Sequence, residues 1–367
     1  MFFELQGRYR TILAVLLAGI VSYAMTPQVK RFAESVGAVD QPSARRINDH
    51  PVPRMGGIAI FCGFMLSMLL FAELTQQVKG IIIGAVIIAL MGAFDDMYNL
   101  SPWIKFAGQF LAAGVAVACG VVVNGFTQFI AFGETIYLSS IVAIIVTVLW
   151  IVGCTNAINF IDGLDGLAVG MTTISAGTLF FISLRIADVN ITVILACLIG
   201  ACLGFLPYNW NPAKIFMGDV GSQMLGFVLS TVSVIGLFKM HALVTILLPV
   251  LAMAVPLADT AFAIIRRLLK GQSPFKADKG HFHHRLLALG LSQKQAVIVL
   301  YGISIVLGIF AYLMVGSTRN VKIVCLAVAF AAVFAIVVFV MKIYPKKARD
   351  NPDMKEKDIK IYSKKGK

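Results

Sequence analysis

The chain has 367 residues, of which 59% are hydrophobic and only 13% are charged. A soluble domain carries roughly 25% charge, and no soluble core could bury so large an apolar share. The composition therefore excludes a string of soluble domains and points to one membrane domain. In that setting the net charge of +13 reads as Lys and Arg anchoring loops on one membrane face, not as nucleic-acid binding.

Apolar runs approach the length of about 17–25 residues that a bilayer-spanning helix needs. They fall near residues 11–26, 57–72, 80–94, 104–123, 138–154, 166–184, 191–207, 221–238, 242–264, 296–314 and 321–341. The expected fold is an all-α polytopic membrane protein of about eleven spans, with its active-site cleft facing the cytoplasm. Arg8 and Arg10 precede the first run, and Ser22-Tyr23-Ala24 resembles a signal-peptide cleavage site. The many later spans favour an uncleaved first helix. No internal repeat of the kind that builds many transporters is visible. Residues 1–341 form the expected membrane domain. The Lys-rich segment 342–367 reads as a disordered, solvated tail able to touch anionic lipid.

Loop charges orient the chain. With the N-terminus outside, Lys30, Arg31, Arg45, Arg46, Arg54, Lys105, Lys214, the basic run from Arg266 to Lys294 and the C-terminal tail all lie inside. That is most of the 31 basic residues, as the positive-inside rule requires. The six cysteines are scattered through apolar segments without CxxC pairing and read as small core residues.

The 18 acidic residues are few, so their positions are informative. Asp95, Asp96, Asp162, Asp165, Asp219, Asp259 and Asp278 fall at or near the inside ends of spans. Ionisable groups at membrane depth are costly and usually functional. Carboxylates gathered on one face suggest a divalent cation, for which hard oxygen ligands favour magnesium. Asp95 and Asp96 close the third span. Adjacent helical residues point about 100° apart, so the pair cannot share one direction. A pair of solvated acids at a helix C-terminus is the plainer reading, but it opposes the macrodipole.

Asn156, Asn159, Asp162 and Asp165 step by three, and Gly163 and Gly166 suggest a helix break where backbone approaches a ligand. Asp219, in Phe216-Met217-Gly218-Asp219, precedes a span. It is either an N-cap or part of a phosphate site at a helix N-terminus. His281, His283, His284 and Arg285 lie in a long basic loop. Zinc fits poorly, since no cysteine joins them. A diphosphate-binding patch fits better, and a merely solvated loop remains open.

The ordered set Asp95-Asp96, Asn156-x-x-Asn159-x-x-Asp162-Gly163-x-Asp165-Gly166, Phe216-Met217-Gly218-Asp219-x-Gly221-Ser222 and His281-x-His283-His284 resembles the polyprenyl-phosphate N-acetylhexosamine-1-phosphate transferases. The similarity spans roughly residues 20–300. It includes Asp40-Gln41-Pro42 and Pro53-Arg54-Met55-Gly56-Gly57. The histidine pattern resembles the N-acetylglucosamine branch (WecA/TagO-like) more than the muramoyl-pentapeptide branch.

The resemblance implies a magnesium-dependent enzyme of the bacterial plasma membrane, with manganese as an alternative metal. It would move N-acetylglucosamine 1-phosphate from UDP-N-acetylglucosamine to undecaprenyl phosphate, releasing UMP, as the first membrane step toward teichoic acid, O-antigen or a similar glycan. It places the metal on Asp219, with Asp96 as a second support, and Asp95 beside the lipid phosphate. Asn156, Asn159, Asp162, Gly163, Leu164, Asp165 and Asn209 would meet the nucleotide, with Phe216 stacked on uracil. Lys105 resembles the family's loop lysine. His281, His283, His284 and Arg285 would contact diphosphate or sugar. Asp259 fits the pattern without a role, and a homodimer stays open. A secondary transporter is the rival class, but its carboxylates would lie near the bilayer midplane in broken helices.

Overall fold

The computed structural model describes residues 2–41, 50–127, 135–186, 188–237, 247–269 and 282–350. The chain is a helical, multi-pass membrane protein. In chain order the helices are α1 (Phe2–Ser35), α2 (Gly57–Phe71), α3 (Gln76–Tyr98), α4 (Pro102–Ala118), α5 (Ser140–Ile161), α6 (Leu167–Arg185) and α7 (Val189–Asn209). They continue as α8 (Gly218–Leu237), α9 (Leu247–Ala252), α10 (Ala254–Leu269), α11 (Phe282–Ala288), α12 (Gln293–Met314) and α13 (Arg319–Asp350). Two small antiparallel ribbons interrupt them. One pairs β1 (Val39–Asp40) with β2 (Val52–Pro53), the other β3 (Gly125–Thr127) with β4 (Thr135–Tyr137).

Among the described residues, eight helices are long and apolar enough to span a membrane: α1, α3, α5, α6, α7, α8, α12 and α13. α2 and α4 are shorter apolar helices. Every expected span finds a helix, except that the run expected at 242–264 is divided. Residues 238–246 lie outside the described set, and the remainder forms α9 and α10. Pro249 and Pro256 each occupy the third position of their helix, in the first turn, where proline displaces no intrahelical hydrogen bond. α13 continues beyond the expected end of its span to Asp350; residues 351–367 of the expected tail are outside the described set.

Lipid tails are as apolar as leucine, so helices in a membrane associate by close fit. α1 packs on α7 and α2, while α8 packs on α3 and α5. Small residues allow the first contact. A methyl group at Gly200 or Gly204 of α7 would lie 2.2 Å from the backbone oxygens of Val15 and Gly19 on α1. Caps define several helix starts: the Thr75, Ser101, Asp188 and Ser292 side chains accept backbone N–H groups three residues on. The six cysteines are free thiols, four of them buried.

This packing brings the C-terminal ends of α3, α5 and α7 together with the N-terminal ends of α4 and α8. The acidic motifs lie on those ends.

Candidate active site

A cavity of about 390 Å³ opens at this end of the bundle. Asp96, Asn159, Asp162 and Asp219 line one part of it. Gly163, Leu164, Asp165, Asn209 and Phe216 line another. Asp40, Arg54, His284 and Gln293 complete its rim.

Asp95 and Asp96 diverge, as adjacent helical positions must. Asp95 Oδ1 accepts the Leu100 N–H at 2.7 Å, and its Oδ2 accepts from Lys105 Nζ at 2.5 Å. Lys105 Nζ also donates to Asp219 Oδ2 at 2.7 Å, so one ammonium bridges α3 and α8 from the first turn of α4. Asp96 turns instead to the start of α8. Its oxygens accept the N–H groups of Asp219 at 3.0 Å and Val220 at 3.3 Å. A carboxylate there satisfies otherwise unpaired amides and complements the helix dipole. Gly218 makes the approach possible: it has φ +73°, and a Cβ would lie 2.2 Å from Asp96 Oδ2.

Two more side chains hold Asp219. Asn159 Nδ2 donates to its Oδ1 at 3.1 Å and to Ser222 Oγ at 2.8 Å. Gln223 Nε2 donates to Oδ2 at 2.9 Å. Behind Gln223, Gln109 Nε2 donates to the Gln223 oxygen at 2.9 Å, and Asn156 Nδ2 donates to the Gln109 oxygen at 2.7 Å. Asn156 does not line the cavity; it ends an amide chain that reaches Asp219. Sequence reasoning missed Gln109 and Gln223. The available signal was a polar amide inside an apolar span, with Gln223 one turn after Asp219.

Beyond Ile161 the helix breaks as the glycines suggest, and α6 starts at Leu167. Asp162 lines the cavity and is half-buried. Burial, reinforced by the charges of Asp219, Asp96 and Asp165, raises its carboxyl to about 8. Asp165 turns toward the α7–α8 connection, where its Oδ2 accepts from Asn211 Nδ2 at 2.8 Å and from the Ala213 N–H at 3.0 Å. Asn211 also donates to Gln293 of α12 at 2.7 Å. Asn209 accepts the Gly166 N–H at 3.1 Å and donates to the Ile215 carbonyl at 3.0 Å.

Phe216 is pinned by backbone. Its N–H donates to the Pro53 carbonyl at 2.8 Å, and its carbonyl accepts the Gly56 N–H at 2.9 Å. The Pro53–Gly57 motif thus holds one wall of the cavity in place. Arg54 forms an ion pair with Asp40 at the cavity rim, two further residues to which sequence reasoning assigned no role.

The histidines separate. His281 lies outside the described residues. His283 is buried against the broken turn, where a Cβ at Gly163 would lie 2.6 Å from its Nε2. The His284 ring, 4.3 Å from that of His283, reaches the cavity. Arg285 is exposed and does not line it. Asp259 acquires a structural role, since its Oδ1 accepts the Phe282 N–H at 2.7 Å and ties α10 to the start of α11.

Residues 78–237 match the model of glycosyl transferase family 4. The chain is 42% identical, over 84% of its length and 86% of the relative's, to a probable undecaprenyl-phosphate N-acetylglucosaminyl 1-phosphate transferase of Bacillus subtilis. It is 38% identical to the decaprenyl-phosphate N-acetylglucosaminephosphotransferase of Mycolicibacterium smegmatis, over 78% of this chain and 77% of that one. It is 31% identical to an undecaprenyl-phosphate alpha-N-acetylglucosaminyl 1-phosphate transferase of Thermotoga maritima, over 80% and 94%. The chain belongs to glycosyl transferase family 4 and, within it, to the polyprenyl-phosphate N-acetylhexosamine-1-phosphate transferases.

Proposed function

We propose that the chain transfers N-acetylglucosamine 1-phosphate from UDP-N-acetylglucosamine to undecaprenyl phosphate and releases UMP, on the cytoplasmic face of a bacterial plasma membrane. The names of the relatives support the substrates. The observation that carries the reading is one cavity joining an aromatic ring, Phe216, to the carboxylates Asp96, Asp162 and Asp219, the last of which Lys105 also holds. A nucleotide needs the first, and a diphosphate with its counter-charges needs the second.

Magnesium fits the donor set. Asp219 and Asp162 present hard oxygens to the same space, and their mutual repulsion favours a divalent cation. Among the described residues no three His, Cys, Asp or Glu side chains form a metal cluster. That suits a metal held by one or two carboxylates together with substrate phosphates and water. When bound it would neutralise charge on the diphosphate and the departing UMP. Manganese suits the same oxygens.

In the transfer, a lipid phosphate oxygen bonds to the β-phosphorus of the UDP-sugar. The bond from that phosphorus to the bridging oxygen breaks, and UMP leaves with the electron pair. Positioning and charge compensation supply most of the catalysis in such reactions. Asp95 and Lys105 meet the lipid phosphate. Asp96 fixes the start of α8 and so the aim of Asp219. Phe216 stacks on uracil, while Asp165 and Asn209 hold the connection that carries it. His284 faces the diphosphate or sugar, with His283 behind it. The loop charges support an orientation with the N-terminus outside and the C-terminus inside.

The test is UMP release and lipid-extracted label from radiolabelled UDP-sugars with undecaprenyl phosphate. UDP-N-acetylglucosamine is expected to label the lipid only with magnesium or manganese present. UDP-glucose is expected to fail, because groups built to bond an N-acetyl would be left unpaired. Preferential labelling from UDP-muramoyl-pentapeptide would overturn the branch, and absence of UMP release would overturn the reaction.

A further inference from the structure

A second cavity, of about 320 Å³, lies behind the α7–α8 connection. Thr26, Lys30, Arg31 and Glu34 of α1 line it, facing Tyr208 and Lys214. Three cations and one acid meet there. Lys30 and Glu34 are 4.0 Å apart, at the outer limit of an ion pair. Among the described residues Arg31 and Lys214 have no ion-pair partner. The cavity is therefore electropositive and able to take an anion.

The wall leading to it identifies the class of anion. Leu16, Ile20 and Tyr23 are all exposed, and their spacing of four and three places them on one stripe of α1. The same stripe continues through Pro27 to Lys30 and Glu34, so an apolar face ends in the charged cavity. Tyr23 stands at the change and packs against Tyr208, with ring centroids 5.0 Å apart. Aromatic residues at this level mark the membrane interface, and basic pockets between spanning helices suit anionic headgroups.

We infer that this cavity holds the phosphate headgroup of an anionic phospholipid whose acyl chains lie along the Leu16–Ile20–Tyr23 stripe. Occupancy has a route to the active cavity. The Lys214 N–H donates to the Tyr208 carbonyl at 2.8 Å, and the next residues carry Phe216. A lipid on Lys214 braces the segment that presents Phe216.

The experiment is native mass spectrometry of the full chain, titrated in detergent with phosphatidylglycerol, phosphatidylcholine or inorganic phosphate. One phosphatidylglycerol is expected to bind in preference to phosphatidylcholine. Arg31→Gln and Lys214→Gln are each expected to weaken it about five-fold, the worth of one cation beside an anionic headgroup. Lys79→Gln, at the opposite end of α3, is expected to leave binding unchanged. Glu34→Gln keeps every cation and is expected to tighten it, which decides the matter if the cation variants do not fold. Equal retention of the two lipids, variants that bind as the parent does, or unchanged affinity in Glu34→Gln would overturn the inference. Full displacement of the lipid by millimolar inorganic phosphate would also overturn it, in favour of a free-anion site.

Discussion

α8 and α13 are both membrane spans, yet they invert the rule that governs soluble cores. α13 is the most apolar of the eight spans, and only 17% of its central window is buried within the protein. α8 is the least apolar, and 89% of its window is buried. In water the apolar helix would hide. In a bilayer lipid solvates it, and the helix that needs protein around it is the one carrying Asp219, Ser222 and Gln223. Polarity at the centre of a membrane bundle therefore marks the working part.

The contrast can be broken at chosen positions. Asp219→Asn removes a charge where Lys105, Asn159, Gln223 and the Asp96-capped backbone converge. Its turnover is expected to fall about 10²–10³-fold with insertion intact; near-parent kinetics with unchanged magnesium dependence would remove Asp219 from the centre. Phe216→Ala is expected to raise KM for the UDP-sugar about ten-fold while kcat changes little, because stacking on a base is largely uniform binding worth about 1–3 kcal/mol. An unchanged KM would place the uracil elsewhere.

Gly218→Ala sets a Cβ against Asp96 at a left-handed φ, so a stability loss of about 1–3 kcal/mol is expected. Thermal unfolding in detergent measures it, and a neutral result would mean that Asp96 does not clamp α8.

Asp162→Asn probes the electrostatic side. The folded-state carboxyl is raised to about 8. Between its unfolded value near 3.8 and that pH the folded state holds a proton that the unfolded state releases. Stability from this group therefore falls as pH rises through that window. The variant is expected to unfold at a higher temperature than the parent in metal-free buffer at pH 8.5, with the gap closing toward pH 4. The smallest effect belongs to α13: Phe334→Ala, on an exposed position, is expected to leave turnover within about two-fold.

The spans were legible because apolar length is a one-dimensional signal. The division between α9 and α10 was not, because the run at 242–264 stays apolar across it. The acids were legible for the opposite reason: charge in so apolar a chain has few innocent places. Their partners were harder to see. The Asp96 clamp on α8 joins residues 123 apart in sequence, and no local pattern announces it. Gln109 and Gln223 are single amides in spans. Asn211 and Gln293 meet only because α12 folds back onto the α7–α8 connection. The histidine motif was legible as a group, but its divided geometry, His283 buried and His284 in the cavity, arises from packing against Gly163.

Whether the cavity between α3, α5, α7 and α8 holds the uridine diphosphate is decided by photolabelling the full chain with 5-azido-UDP-N-acetylglucosamine and mapping the modified peptide. Label is expected in the segment from Asn209 to Val220, lost on competition with UMP. Label on α12 or α13, with none in that segment, would contradict a nucleotide site in this cavity.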